Sequence, residues 1–171
     1  MRYRPITSSL RAAFFNYLGD NIEECIIMDG FAGTGIVGFE ALSRGASSVV
    51  FVENNRAAAS LIEKNSKQLN ALQNCTVVCM PVEKALVKQR IAKKIDIIFL
   101  DPPFNYPIEN ISGLFSLIMT NDLLSEQGII AVRYQKYKGK LELHTTTFSI
   151  IKEFKESEAF LEIYQRIDSQ T

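Results

Sequence analysis

The side chains best suited to catalysis or ligand binding gather in two short stretches of this chain. The first is IDIIFLDPPF, Ile95 to Phe104, an apolar run that ends in one acid, two prolines and an aromatic ring. A strand buried on both faces needs no charge at its tip, and neither Pro102 nor Pro103 can donate to a ladder. A residue that precedes proline is pushed out of the helical region, so Asp101 and Pro102 are held extended. The corner is stiff and rich in acceptors: the Asp101 carboxylate and the carbonyls of Asp101 and Pro102, with Phe104 beside them. It suits an amino group that donates hydrogen bonds while an aromatic face holds its flat ring. A rigid strand-to-loop turn without a ligand is the plainer reading of the same residues.

The second stretch is Asp29-Gly30-Phe31-Ala32-Gly33-Thr34-Gly35, between an apolar run and a helical pattern. Glycines at such a turn permit close approach of a ligand, and the free amides of a helix start favour polar or anionic groups. Gly33-x-Gly35-x-x-Gly38 also satisfies the dinucleotide fingerprint, which keeps an NAD(P)-dependent oxidoreductase in contention. Glu53 ends the next apolar run, about twenty residues on, where an acid can bind a ribose diol in either class. Two features favour a sulfonium cofactor. Asp29 is awkward beside a pyrophosphate but suits the cationic amino-acid end of S-adenosylmethionine. A dehydrogenase of this type also usually needs a substrate domain, for which the chain has no room.

The elements that must position these stretches can be read along the chain. Thr7 or Ser8 can cap a helix running to about Leu18, with Leu10, Phe14, Phe15 and Leu18 on its apolar face. Strands are expected at Cys25–Met28, Val49–Val52, Cys75–Met80, Ile95–Leu100 and Gly128–Arg133. Helices are expected at Gly33–Ser43, Arg56–Leu69, Val82–Ala92 and Ile111–Met119. On the helix after Glu53, Ala58, Leu61, Ile62 and Leu69 are read as inward-facing. Tyr134 to Thr146 reads as loop or short helix. Phe148–Phe154 and Phe160–Ile167 read as a terminal hairpin turning at Lys155-Glu156-Ser157. Strands separated by helices mean βαβ units and a parallel sheet. The expected fold is α/β: a doubly wound, mostly parallel seven-stranded Rossmann-like sheet with a C-terminal antiparallel hairpin. One domain is expected over 1–171, with a basic lead-in and helix over 1–20 and the core over 25–167.

Bulk properties bound the function. With 171 residues, 47% of them hydrophobic and 22% charged, the chain can bury a proper core. Lys plus Arg equals Asp plus Glu, 19 each, so no global field advertises a nucleic acid. The three cysteines are too few for a disulfide framework, and Cys75 and Cys79 on one strand would lie roughly 13 Å apart. Free thiols fit a cytoplasmic protein, and no run is long enough to span a membrane. The single histidine, His144, has no partner for a metal site, and no metal is expected.

In an open α/β sheet ligands bind beyond the carboxyl ends of the strands, at the switch point. The glycine loop follows the first strand and the Asp-Pro-Pro-Phe corner the fourth, and these are neighbours in a doubly wound sheet. Both therefore face one crevice. The chemistry this suggests is methyl transfer from a sulfonium to an exocyclic amine of a base. Hydrogen bonds to Asp101 and the Pro102 carbonyl would localise the lone pair and stabilise the developing charge. Phe104 would stack on the base, worth about 1–3 kcal/mol. Positioning carries much of the rest, and a base within a duplex must first be flipped out.

DGFAGTG, Glu53 and DPPF together resemble the class I amino-methyltransferases, whose members modify adenine N6, guanine N2 or a glutamine side chain. RPITSSLRAAFFN (Arg4 to Asn16), DGFAGTGIVGFEALSRGA (Asp29 to Ala46) and LDPPF narrow this, and resemble the bacterial small-subunit ribosomal RNA guanine-N2 methyltransferases of the RsmD type. Within the first segment Ile6, Ser8 and Ser9 depart from the family pattern, while Arg4, Pro5, Thr7 and Arg11 keep it. The resemblance implies S-adenosylmethionine as cofactor, held by Asp29, Gly30, Phe31, Ala32, Gly33, Gly35, Glu53 and Asn54. It also implies that the Val82 backbone reads the cofactor adenine, with Glu83 as helper. Asp101, Pro102, Pro103 and Phe104 would be catalytic. Arg4, Arg11 and Tyr106 would face the substrate, ribosomal RNA in an assembling small subunit, and a monomer is expected. Lys136, Lys138 and Lys140 with Tyr134 and Tyr137 form a basic run that either engages RNA or is a solvated loop. The competing readings are adenine-N6 methylation of DNA or RNA, an NAD(P)-dependent oxidoreductase, and a binding module without turnover.

Overall fold

In the computed structural model, residues 5–87, 94–143 and 147–167 are described. The chain opens with helix α1, Ser8–Leu18, whose N-cap Thr7 accepts the Leu10 amide at 3.2 Å. Then β1 (Ile26–Gly30), α2 (Ile36–Ser43), β2 (Ser48–Val52), α3 (Arg56–Gln68), β3 (Cys75–Val78), α4 (Val82–Val87), β4 (Ile95–Leu100) and α5 (Ile108–Thr120) alternate. Three longer strands close the sequence: β5 (Leu124–Gln135), β6 (Phe148–Lys155) and β7 (Ala159–Arg166). The sheet order is β3-β2-β1-β4-β5-β7-β6, parallel through β5, with β7 antiparallel to both of its neighbours. This is the seven-stranded, doubly wound α/β arrangement expected, with the hairpin's second strand inserted against β5.

Each parallel strand is apolar on both faces because helices cover both sides. On one face Phe51, Phe99 and Ala131 meet α1 and α2, and Phe14 of α1 lies 5.3 Å from the Phe99 ring. On the other, Met28, Ile98, Leu100 and Val132 meet α4 and α5. The lead-in is part of this packing, since Ile6 is buried with the first cluster.

The elements differ from the sequence reading where tertiary packing decides. Along α3 the buried residues are Ala59, Ile62 and Ser66, whereas Leu61 and Leu69 are 43% and 60% exposed and Ala58 is only partly covered. The stripe is set by Ile62, which fills the space under the glycine loop: a Cβ on Gly35 would lie 3.2 Å from it. β3 ends at Val78, leaving Cys79 exposed. β5 runs on through Tyr134 and Gln135 because Phe160 and Ala159 of β7 pair with them. α5 starts three residues early, at Ile108 after Pro107. The expected continuation of α4 to Ala92, and His144, lie outside the described residues.

Candidate active site

Both motif stretches emerge at the carboxyl ends of adjacent strands. Gly30 of β1 pairs with Leu100 of β4, and the Asp101 amide donates to the Gly30 carbonyl at 3.3 Å. The loop after β1 turns through Phe31 at φ +64°, Gly33 at +57° and Gly35 at +76°. A left-handed conformation costs a bulky residue about 1–2 kcal/mol. At Phe31 it is offset by the ring, which packs edge-on against Tyr106 at 5.1 Å.

Below this loop lies a cavity of about 590 Å³. One side is Glu53, Asn54, Asn55 and Ala58, from the end of β2 and the start of α3. The opposite side is Pro103 and Tyr106 from the corner after β4, and Pro81, Val82 and Glu83 close the end. Glu53 is oriented by two backbone amides: Gly33 donates to Oε2 and Asn55 to Oε1, each at 2.7 Å. Asn55 caps α3 by accepting from the Ala57 and Ala58 amides, so the strand tip and the helix start are locked together. Across the cavity the Tyr106 hydroxyl donates to Glu83 Oε1 at 2.7 Å. Burial and the Glu83 carboxylate raise its phenol above the ordinary range, so the proton stays on the donor.

The two acids of the motifs sit just above, on the face of the sheet that carries α1. Asp29 and Asp101 are 2% and 4% exposed, and both line a small cleft under Pro5 and Ile6. Asp29 Oδ2 accepts the Gly38 amide at 3.0 Å and so caps the first turn of α2. Its carboxyl is pushed up to about 8: burial raises it, the Gly38 amide opposes, and the carboxylates of Asp101 and Glu53 raise it further. The stability contributed by its protonated form is complete below about pH 4 and is lost as pH rises to about 8. Asp29→Asn keeps an acceptor for Gly38 and removes the titration. Its melting temperature relative to the unaltered protein is therefore expected to rise between about pH 5 and about pH 8.5. A difference that is the same at both pH values would show that Asp29 does not hold this proton.

Asp101 has a neighbour that the sequence reading passed over. Arg133 of β5 donates from Nη1 to Asp101 Oδ1 at 2.8 Å, with both side chains buried. The available signal was a charged residue closing the apolar run GIIAV, in register with the strand that ends at Asp101. The cavity residues Asn55, Ala58 and Pro81 were also not singled out.

The remaining expected residues fall in different places. Asp29, Phe31, Ala32, Gly33, Glu53, Asn54, Val82 and Glu83 surround the cavity or the cleft, as do Asp101 and Pro103. Gly30 and Gly35 shape the turn: a Cβ on Gly30 would lie 2.8 Å from Leu100 Cδ2. Tyr106, read as a wall for the substrate, lines the same cavity as Glu53. Pro102 and Phe104 are half-buried and line neither the cavity nor the cleft. Arg11 donates from Nε to Glu40 Oε2 at 2.7 Å, and Arg44 donates to the same carboxylate. Arg4 lies outside the described residues. In the basic run, Tyr134 is buried, whereas Tyr137 is 70% exposed and its hydroxyl donates to the Phe104 carbonyl at 3.2 Å. The ammonium groups of Lys138 and Lys136 donate to the carbonyls of Tyr106 and Glu156.

Comparison with known proteins places this arrangement. A family model described as conserved hypothetical protein 95 matches residues 1–165. The chain is 33% identical over 136 residues to a Haemophilus influenzae protein named ribosomal RNA small subunit methyltransferase D, covering 79% of this chain and 69% of that one. It is 30% identical over 163 residues to the Escherichia coli protein of the same name, covering 95% and 79%. A solved Escherichia coli structure, provisionally named a methyltransferase, superposes with a TM-score of 0.85 at 28% identity, covering 97% of this chain and 90% of that one.

Proposed function

Because the chain belongs to the family described as conserved hypothetical protein 95, that of the small-subunit ribosomal RNA methyltransferase D proteins, we propose that it methylates an exocyclic amine of ribosomal RNA, guanine N2, from S-adenosylmethionine. The observation that carries this reading is the shared loop after β4. Asp101 at its start offers the acceptor for an amine, and Pro103 and Tyr106 a few residues on wall the cavity that Glu53 also lines.

The cavity residues fit the cofactor. Its volume suits a ligand of this size. Glu53, already aimed by the Gly33 and Asn55 amides, retains lone pairs for two ribose hydroxyls. Val82 offers its backbone to the adenine, with the Glu83 carboxylate held by Tyr106. Asp29 faces the cationic end, so cofactor binding favours its ionised form and strengthens as pH rises towards about 8. Phe31 and Tyr106 give the cavity aromatic walls. Once bound, S-adenosylmethionine supplies an electrophilic methyl group on a sulfonium.

On the substrate side, Asp101 and the Pro102 carbonyl accept from the amine, concentrate its lone pair and stabilise the charge that develops on nitrogen. Phe104 stacks on the base. Arg4, and Arg11 through donors beyond the one given to Glu40, contact RNA phosphates. The proposed partner is small-subunit ribosomal RNA in an assembling particle, met by a monomer in the cytoplasm.

Two measurements test the proposal. Calorimetry is expected to show binding of S-adenosylhomocysteine and none of NAD(P). Labelled methyl is expected to enter undermethylated small-subunit particles rather than DNA, with N2-methylguanosine recovered by mass spectrometry of the nucleosides. Absence of cofactor binding removes the proposal, and N6-methyladenosine as the product replaces guanine N2 by adenine N6.

A further inference from the structure

The register of the sheet sets a cation beside the acceptor corner. Leu100 pairs with Val132, so the residues that follow them, Asp101 and Arg133, stand side by side where β4 ends. They are 4% and 5% exposed, and Nη1 of Arg133 lies 2.8 Å from Oδ1 of Asp101. On the other side of β4, Asp29 of β1 is equally buried, and the carboxylates of Asp101 and Glu53 both bear on it. Among the described residues, two acids and one guanidinium thus share a dry corner.

Burying an ion pair costs several kcal/mol of desolvation per ion, and apolar replacements of such pairs are often neutral or stabilising. Stability alone is a poor reason for this one. The stronger reason lies in what Arg133 does to the carboxylate. A buried carboxyl without a counter-charge neutralises itself by taking up a proton, and once cofactor binding ionises Asp29 the pressure to do so is greater. Protonated, Asp101 would turn one acceptor oxygen into a donor. A guanidinium N–H aimed at one oxygen also restricts how the acid it holds can rotate.

We propose that Arg133 is a positioning residue for methyl transfer: by anchoring one oxygen of Asp101 it sets the carboxylate plane towards the amine and balances its charge beside Asp29. The inference rests on the reading of Asp101 as amine acceptor given above. In that transfer the amine lone pair forms the N–C bond while the C–S bond breaks with its electrons passing to sulfur. The nitrogen then releases one proton to solvent. Arg133 takes no part in either bond and acts only through Asp101.

Arg133→Gln keeps a donor without the charge, and Arg133→Lys keeps the charge without the planar fork. Both are assayed by single-turnover transfer of labelled methyl to undermethylated small-subunit particles across pH, with melting curves and S-adenosylhomocysteine calorimetry. Arg133→Gln is expected to slow transfer about 100-fold, the loss that follows misplacement of a reacting group by about 1 Å. The acidic limb of its pH–rate profile moves to higher pH, since Asp101 then lacks the Arg133 charge while Asp29 still bears on it. Cofactor affinity stays within about twofold, and Arg133→Lys recovers about tenfold of the rate and the original limb. An unchanged rate and limb in Arg133→Gln overturn the inference. So do two variants equally slow with an unmoved limb, the pattern of a residue that only supports the fold. If Arg133→Gln does not fold, Arg133→Lys decides: slower transfer with the original limb is expected, and the rate of the unaltered protein overturns. Transfer by the unaltered protein with no effect of either variant removes this inference alone. No transfer by the unaltered protein removes the reading of Asp101 and this inference together.

Discussion

Asp101→Ala is expected to slow methyl transfer by about 10²–10³-fold while leaving cofactor affinity within a few-fold, because it removes an acceptor aimed at the charge that develops on nitrogen. The separation of effects follows from the geometry. Asp101 lines the cleft under Pro5 and Ile6, whereas the large cavity is lined by Glu53, Val82, Pro103 and Tyr106. The variant will also melt earlier. It removes the Asp101 side of the buried pair with Arg133, and breaking one side of such a pair typically costs about 3–5 kcal/mol. Rates therefore need to be taken in single turnover at a temperature where melting curves show the variant folded. Asp101→Asn supplies the control, since it keeps the shape and a carbonyl acceptor but not the charge, and it should fall between the two. A large loss of S-adenosylhomocysteine binding in Asp101→Ala would place Asp101 with the cofactor instead.

Gly38→Ala is expected to destabilise the protein by about 3 kcal/mol or more, the upper end for overpacking a core. A Cβ there would meet Phe51 Cε1 at 2.2 Å, Phe51 Cζ at 2.7 Å and Val49 Cγ1 at 2.8 Å. The Phe51 ring cannot yield easily. It is fully buried, it stacks obliquely on Phe39 at 5.0 Å, and Gly35 already leaves its would-be Cβ only 3.1 Å from the same ring. At roughly 2–4 °C per kcal/mol for a chain of this size, the melting temperature should drop about 6–12 °C. Cofactor affinity should fall too, because the Gly38 amide anchors Asp29 and any shift of α2 moves the loop that Asp29 supports. Gly113→Ala is the contrasting case. It lies on the exposed face of α5 with nothing within 4 Å of a Cβ, and is expected to gain about 0.5–1 kcal/mol. A Gly38→Ala protein that melts with the unaltered one would mean that α2 and β2 are not packed this tightly.

Much of the site was legible because its signals are local. Glycines are needed where the chain turns left-handed after β1, and prolines cannot continue β4 into a ladder. Those requirements fall on single residues, so Asp29 to Gly35 and Asp101 to Phe104 announce themselves without knowledge of their surroundings. That the first and fourth strands are neighbours followed from alternation and connection rules, and with it the closeness of the two stretches. The N-terminal helix was legible for the same reason: Thr7 caps it and Leu10, Phe14, Phe15 and Leu18 form one stripe.

Which groups are buried together emerged only from the packed fold. Arg133 lies 32 residues from Asp101, and only the pairing of Leu100 with Val132 brings them into contact. Tyr106 reads equally well as a substrate wall until Glu83, 23 residues away, takes its hydroxyl. Leu61 and Leu69 look inward by composition, yet the space under Gly35 selects Ile62 and turns them to solvent. Asp29 reads as an ordinary acid, and its raised proton affinity comes from the depth at which α1, α2 and the sheet enclose it. Local sequence was enough to specify the backbone turns, because backbone conformation is set over a few bonds. Charge state and partner were left to the fold, because desolvation and Coulomb interaction depend on every element packed around a group.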